Sequence, residues 1–212
     1  TGTVVPGTAL EGIVAETRAR GGHVLIDEIY QGLTYGGPHQ PTALRLGADL
    51  FVVNSFSKYF NMTGWRLGWL VAPAECVGEM ERLLQNAYIC PSAPAQAAAL
   101  AAFRPETIAV LEERRAEFQR RRDFLVPALR ELGFEIPVLP EGAFYVYADC
   151  SRLAQDSEQF ALEALERAGV AITPGRGFGS FRADKHVRFA YTRSMSDLEE
   201  GVERLRRLLR AG

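Results

Sequence analysis

SFSKYFNMTGWRLG, residues Ser55–Gly68, sets two serine hydroxyls beside a lysine and places an arginine eight positions after that lysine. Lys58 is its focus. The chain carries 24 lysines and arginines together, yet only Lys58 and Lys185 are lysines. Arginine keeps its charge far above neutral pH, whereas a lysine amine can lose its proton, attack a carbonyl and hold it covalently. A lysine in so arginine-rich a chain is therefore a candidate for amine chemistry rather than for charge alone.

Apolar runs flank the stretch. Leu50–Val53 reads as a buried strand ending in Asn54-Ser55, and Leu67–Ala72 as the next strand, with residues 56–66 as the loop between them. Upstream, Leu10, Ile13 and Val14 recur at helical spacing over Thr8–Arg20, and Gly21-Gly22 closes that helix. His23-Val24-Leu25-Ile26 then reads as a buried strand with Asp27-Glu28 at its carboxyl end, and Gly32–Pro41 as a polar loop. Two strands thus deliver polar groups at their carboxyl ends, where open α/β sheets gather function.

Downstream, Ala74–Gln85 and Ala93–Phe103 read as helices, the second alanine-rich and suited to close packing. A charged segment, Glu106–Glu131, has helical periodicity, with Pro127 expected to kink or split it. Shorter elements follow: strands at Phe134–Val138, Phe144–Ala148, Val170–Thr173 and His186–Tyr191, and a loop at Pro174–Gly179. Helices are expected at Glu158–Arg167, capped by Ser157, and at Ser196–Arg210, capped by Ser196. The resulting expectation is part of a larger α/β domain over residues 1–104, a helical connector over 105–132 and a small α+β domain over 133–212.

A net charge of −2 gives no basis for non-specific binding to nucleic acid or to an anionic membrane. Cys76, Cys90 and Cys150 are odd in number and lack metal-ligand spacing, which suits a reducing, cytoplasmic setting. His23, His39 and His186 stand apart from one another, so no metal site is expected. No apolar run has membrane-spanning length, and the first twenty residues lack signal-peptide character. Because the chain starts Thr1-Gly2-Thr3 without a methionine, we expect it to be part of something longer.

Three chemistries compete for the central stretch. Asp27-Glu28 could end a nucleotide-hydrolase strand, but neither lysine lies in a phosphate-cradling G-x-x-x-x-G-K-[S/T] loop. Ser55-Phe56-Ser57-Lys58 spells S-x-x-K, yet the S-D-N and K-T-G segments that would accompany it are missing. The remaining chemistry joins Lys58, for an aldehyde, to Ser55, Ser57 and Arg66, for a phosphate. Asp27 suits a pyridine nitrogen that must stay protonated, and Tyr30 a phenolate oxygen on that ring. Together they describe a site for pyridoxal phosphate.

SFSKYFNMTGWRLG also resembles the lysine attachment signature of the class I/II aminotransferases, fold-type I pyridoxal-phosphate enzymes. IDEIYQGLTYGG, residues 26–37, resembles the family segment bearing the pyridine-nitrogen aspartate and the ring-oxygen tyrosine, here Asp27 and Tyr30. PEGAFYVYAD, residues 140–149, is similar to its small-domain strand. HVRFAYTRS, residues 186–194, is similar to the segment whose arginine grips the substrate α-carboxylate, here Arg188.

The resemblance runs along the whole chain but covers about the latter half of a family member. It implies the latter part of a fold-type I large domain, a mostly parallel sheet with helices, followed by the small α+β domain. It further implies amino-group transfer between an α-amino acid and a 2-oxo acid, and a homodimer. Fold-type I lyase chemistry, an aminotransferase-like ligand sensor of a transcription regulator, and an inactive fragment are the alternatives.

Overall fold

The computed structural model describes residues 2–37 and 40–210. Thr1, and Pro38 and His39 of the expected Gly32–Pro41 loop, lie outside the described residues. The chain forms two compact units, Val4–Arg115 and Ala116–Gly212, the latter including Thr1–Thr3.

In the first unit, helix α1 (Gly7–Ala19) ends as its paired glycines foretell. Gly21 takes φ +69°, its N–H bonds the Arg18 carbonyl, and Gly22 N–H reaches back to Thr17. That double bond pattern is a Schellman closure, which needs a left-handed residue and so favours glycine. Strands β1 (Leu25–Asp27), β2 (Phe51–Ser55) and β3 (Gly68–Val71) form one sheet in that order. β1 pairs with β2 in parallel, Asp27 opposite Val53, and β2 pairs with β3 antiparallel, Ser55 opposite Gly68.

The β1 run was expected to be buried, but it is buried on one face only. Ile26 joins Val24 and Leu10 around the core of Val14, Ala43, Leu50 and Val52, while Leu25 is 63% exposed. As an edge strand with α1 on one side, β1 alternates in the manner of a half-covered sheet.

Helices α2 (Ala74–Ala87) and α3 (Ala93–Ala102) follow. In α3, Ala95, Ala99 and Ala102 repeat at i, i+4 and i+7 and are all buried. Side chains that small let the helix backbone lie close to its neighbours. Ala99 and Ala102 pack with Phe56, and Phe60, Met62 and Leu67 close that cluster, so α3 supports the central stretch.

Helix α4 (Pro105–Glu131) is one uninterrupted helix with Pro127 inside it, not two helices. An interior proline costs about 3 kcal/mol. Around it, Leu125, Val126 and Leu129 are buried to 4% exposure or less. At roughly 1.5–3 kcal/mol for each buried aliphatic side chain, their packing outweighs the proline.

The second unit is an antiparallel sheet of β4 (Tyr145–Asp149), β6 (His186–Ala190) and β5 (Thr173–Pro174), with β6 central. Helices α5 (Ser157–Ala168) and α6 (Met195–Arg210) complete it. Val146 pairs with Phe189 and Ala148 with Val187, all four buried. By strand alternation, Tyr145, Tyr147 and Arg188 share the opposite face.

Several expectations need correcting here. Phe134–Val138 is not a strand and makes a single bridge, Glu135 to Asp149. Pro137 has no N–H to give a ladder, and Arg130 Nη2 already occupies the Ile136 carbonyl at 2.7 Å. The cap of α5 is Asp156, whose carboxylate accepts from the N–H groups of Glu158 and Gln159. Ser157 is instead buried and donates to the Ala183 carbonyl at 2.9 Å. α6 starts one residue earlier than expected, at Met195, with Ser194 Oγ accepting from Asp197 N–H at 3.2 Å, so Ser194 and not Ser196 is its cap. The strand expected at Val170–Thr173 is confined to Thr173–Pro174, and the Pro174–Gly179 loop contains a 3₁₀ turn at Gly175–Phe178.

Among the described residues, no helix is long and apolar enough to cross a membrane. The same residues contain no cluster of side chains that could hold a metal ion.

Candidate active site

Parallel pairing of β1 and β2 brings two strand ends side by side in the first unit. β1 ends at Asp27, and the ladder continues one step further through Glu28 N–H to the Val53 carbonyl. β2 ends at Ser55, so its polar end and Asp27 emerge at the same sheet edge. Asp27 is exposed, and its Oδ1 accepts from Ile29 N–H at 2.9 Å, which turns the carboxylate toward the segment carrying Tyr30. Glu28 does a different job. Its carboxylate accepts from Ala43 N–H at 2.7 Å, holding the 3₁₀ turn Ala43–Leu46.

The loop between β2 and β3 is closed from within. Phe56 N–H bonds the Leu67 carbonyl, Met62 N–H the Phe56 carbonyl, and Asn61 N–H the Lys58 carbonyl at 3.0 Å. Asn61 and Arg66 take φ +55° and +52°, the left-handed region in which asparagine is the more easily accommodated. Thr63 Oγ1 fastens the loop again by donating to the Ser57 carbonyl at 2.7 Å. The ring of Phe56 lies 4.9 Å from Phe60, 5.1 Å from Trp69 and 5.7 Å from Phe103, so an aromatic cluster anchors the loop below its polar rim.

On that rim Ser55 Oγ lies 2.9 Å from Ser57 Oγ and accepts from Ser57 N–H at 3.0 Å. Arg66 is exposed and donates from Nη1 to the Thr63 carbonyl at 3.0 Å. Lys58 Nζ lies 6.0 Å from the centre of the Tyr30 ring. The first unit therefore carries Asp27, Tyr30, Ser55, Ser57, Lys58 and Arg66 at the ends of β1 and β2 and in the two loops that follow them.

Arg188 belongs to the second unit. Its guanidinium is sandwiched, 4.3 Å from the ring centre of Tyr145 and 4.4 Å from that of Phe178. Among the described residues its Nε is buried without a hydrogen-bond partner. A buried donor left unpaired costs free energy, and a planar cation held between two rings is set for a planar anion. The turn that carries Phe178 is tightly built, because a side chain on Gly175 would meet the Ala183 carbonyl at 2.4 Å.

Further along the same face, Asp149 is buried beside Arg182 and His186. Burial opposes its charge, but the Ser151 bonds and the charges of His186 and Arg182 outweigh burial and hold its carboxyl below the usual range. The next residue, Cys150, is pushed up to about 11 by burial and then by the Asp149 charge. Cys90 is exposed. In the native chain at mildly alkaline pH, iodoacetamide is expected to modify Cys90 and to spare Cys150, read by peptide mass spectrometry. Modification of Cys150 ahead of Cys90 would contradict this burial.

Several side chains of this region give no signal in the sequence. Tyr59 follows Lys58 directly, and its Oη donates to Glu112 of α4 at 2.7 Å. Glu112 also accepts from Arg115 Nε at 2.7 Å. Tyr145 is the one partner of Arg188 that strand alternation could have found, since it lies on the Arg188 face of the sheet.

Residues 1–205 match the family described as aminotransferase class I and II. The chain is 39% identical over 206 residues to the valine–pyruvate aminotransferase of Mycobacterium tuberculosis, covering 97% of this chain and 53% of that protein. It is 36% identical to the aspartate/prephenate aminotransferase of Thermus thermophilus, covering 99% of this chain and 54% of that protein. A solved aminotransferase structure from Mycobacterium tuberculosis superposes with a TM-score of 0.95 at 39% identity, covering all of this chain and 55% of that one. The chain thus spans about half the length of the curated relatives it matches.

Proposed function

The chain belongs to the class I and II aminotransferases, and on that premise we propose that it is the latter portion of a pyridoxal-phosphate-dependent enzyme. The reaction is transfer of an amino group between an α-amino acid and a 2-oxo acid. The observation that carries this reading is that Lys58 Nζ lies 6.0 Å from the centre of the Tyr30 ring, in the loop that opens with the Ser55–Ser57 hydroxyl pair, at the sheet edge where Asp27 also emerges.

The donor set fits the cofactor. Ser55, Ser57 and Arg66 offer hydroxyls and a guanidinium to a phosphate, Asp27 a carboxylate to a pyridine nitrogen, Tyr30 a phenol to a ring oxygen, and Lys58 one amine to an aldehyde. When bound, pyridoxal phosphate supplies an electrophilic aldehyde and a ring that accepts the electron pair left when the α-proton departs. The protein supplies the rest. Lys58 would hold the cofactor through its amine and, once freed, would take the α-proton at Nζ. Asp27 would face the ring nitrogen and favour its protonated form. Arg188, already planar between two rings, orients the substrate carboxylate.

The partners on this reading are an amino acid, a 2-oxo acid and a second copy of the chain as a homodimer. All three cysteines are free thiols, which suits a reducing, cytoplasmic compartment. A single half-reaction tests the reaction type. The intact protein, loaded with cofactor and given an amino acid but no acceptor, is expected to release one equivalent of the matching 2-oxo acid while retaining the amino group. Release of ammonia together with the expelled β-substituent and a 2-oxo acid lacking it would instead identify elimination.

A further inference from the structure

We propose that Tyr59 is a positioning residue for Lys58, acting through a circuit of Tyr59, Glu112 and Arg115 that fastens the lysine-bearing turn to the first half of α4. The proposal rests on the reading of Lys58 as the cofactor lysine.

A lysine amine sits on a flexible four-carbon stem, so the rigidity of its backbone decides how narrowly the amine is aimed. Here the backbone is the turn closed by Asn61 N–H on the Lys58 carbonyl. Tyr59 lies inside that turn and is held on three sides. Its ring meets Phe60 edge-on at 5.1 Å. Its other contact is Gly32, which has φ +89°, and a Cβ there would stand 2.8 Å from the Tyr59 ring. Its Oη donates to Glu112 Oε1 at 2.7 Å.

The circuit then returns to the opposite side of the site. Glu112 Oε2 accepts from Arg115 Nε at 2.7 Å, and Arg115 Nη1 donates to the Thr34 carbonyl at 3.1 Å. Thr34 lies just beyond the turn that carries Tyr30, which is closed by Gln31 N–H on Glu28 and Leu33 N–H on Tyr30. The segments bearing Lys58 and Tyr30 are therefore each tied to α4, one through a side chain and one through a carbonyl. Glu112 and Arg115 keep only 31% and 22% of their side-chain surface exposed, where a charge-assisted bond is stronger than at an open surface. Burial, followed by the Glu112 bond and charge, pushes the Tyr59 phenol up, so it remains a donor across the neutral range.

The test compares the unaltered chain with Tyr59→Phe, Glu112→Ala, their double variant and Glu112→Gln. Each is exposed to pyridoxal phosphate and trapped with borohydride as a function of pH, and adducts at Lys58 and Lys185 are quantified by mass spectrometry. Lys185 serves as the internal reference. Tyr59→Phe keeps the ring and loses only the Oη bond. It is expected to lower the rate of Lys58 labelling about tenfold and to shift its pH profile, with Lys185 unchanged. The double variant is expected to be no worse than either single one, because both break the same circuit. Glu112→Gln keeps an acceptor for the phenol and is expected to retain most of the rate.

Without cofactor, hydrogen exchange at the amides of residues 57–61 is expected to accelerate in Tyr59→Phe. Should Glu112→Ala not fold, Tyr59→Phe and Glu112→Gln decide the matter between them. Selective Lys58 labelling that is unchanged in Tyr59→Phe, or losses that multiply in the double variant, overturns the positioning role alone. Equal labelling of Lys58 and Lys185 in every variant overturns the lysine assignment, and the positioning role with it.

Discussion

Lys58→Ala in the intact protein is expected to lower the turnover number for amino transfer by at least about 10³-fold. A positioned general base contributes roughly 10² to 10⁴ in rate, and on the proposed reading this substitution also removes the amine that holds the cofactor. The loss should fall on the proton step itself. Exchange of the substrate α-hydrogen with deuterium oxide, followed by NMR, is the direct reading, and it should become undetectable. The fold should persist, because Lys58 is half-exposed on a turn closed by backbone bonds and by the Phe56 cluster. Exchange at the unaltered rate in Lys58→Ala would assign the base to another residue.

The second large effect is expected at Arg188. Its guanidinium is fixed between Tyr145 and Phe178, and its Nε is buried without a partner among the described residues. Truncating one member of a desolvated charge pair costs about 2–5 kcal/mol. At 1.36 kcal/mol per tenfold, Arg188→Leu should cut kcat/KM by roughly 30-fold to several thousand-fold. The fall should be shared by all α-amino acids, since the carboxylate is common to them. An amine without a carboxylate should react equally well with either protein, which separates carboxylate recognition from general damage. Arg188→Lys should recover little, because an ammonium neither stacks as a plane nor forks onto two oxygens. An unchanged kcat/KM in Arg188→Leu would overturn its proposed hold on the carboxylate.

The parts of this molecule legible in its sequence are those whose cause is local. SFSKYFNMTGWRLG keeps hydroxyls, amine and arginine within fourteen residues, and apolar runs on both sides make it a loop between strands. Gly21-Gly22 ends α1 as glycine pairs do, and the alanines of α3 declare a buried face. Where two neighbours compete for one role, residue type did not choose between them. Asp156 and Ser157 can both cap α5, and the choice fell to Asp156 because Ser157 found a buried partner in the Ala183 carbonyl.

Pro127 shows a long-range term defeating a local one, since the core against Leu125, Val126 and Leu129 keeps α4 whole. Tyr59 and Glu112 are 53 residues apart, and no periodicity or motif links them. Their bond exists only because the fold brings α4 to the lysine-bearing turn.

The account stands or falls on the amine of Lys58. The most direct measurement is to mix the unaltered 212-residue chain with pyridoxal phosphate, reduce with borohydride and map the adducts by peptide mass spectrometry. A stoichiometric adduct at Lys58 with little at Lys185 is the predicted result. Equal labelling of the two lysines, or none at Lys58, would contradict it.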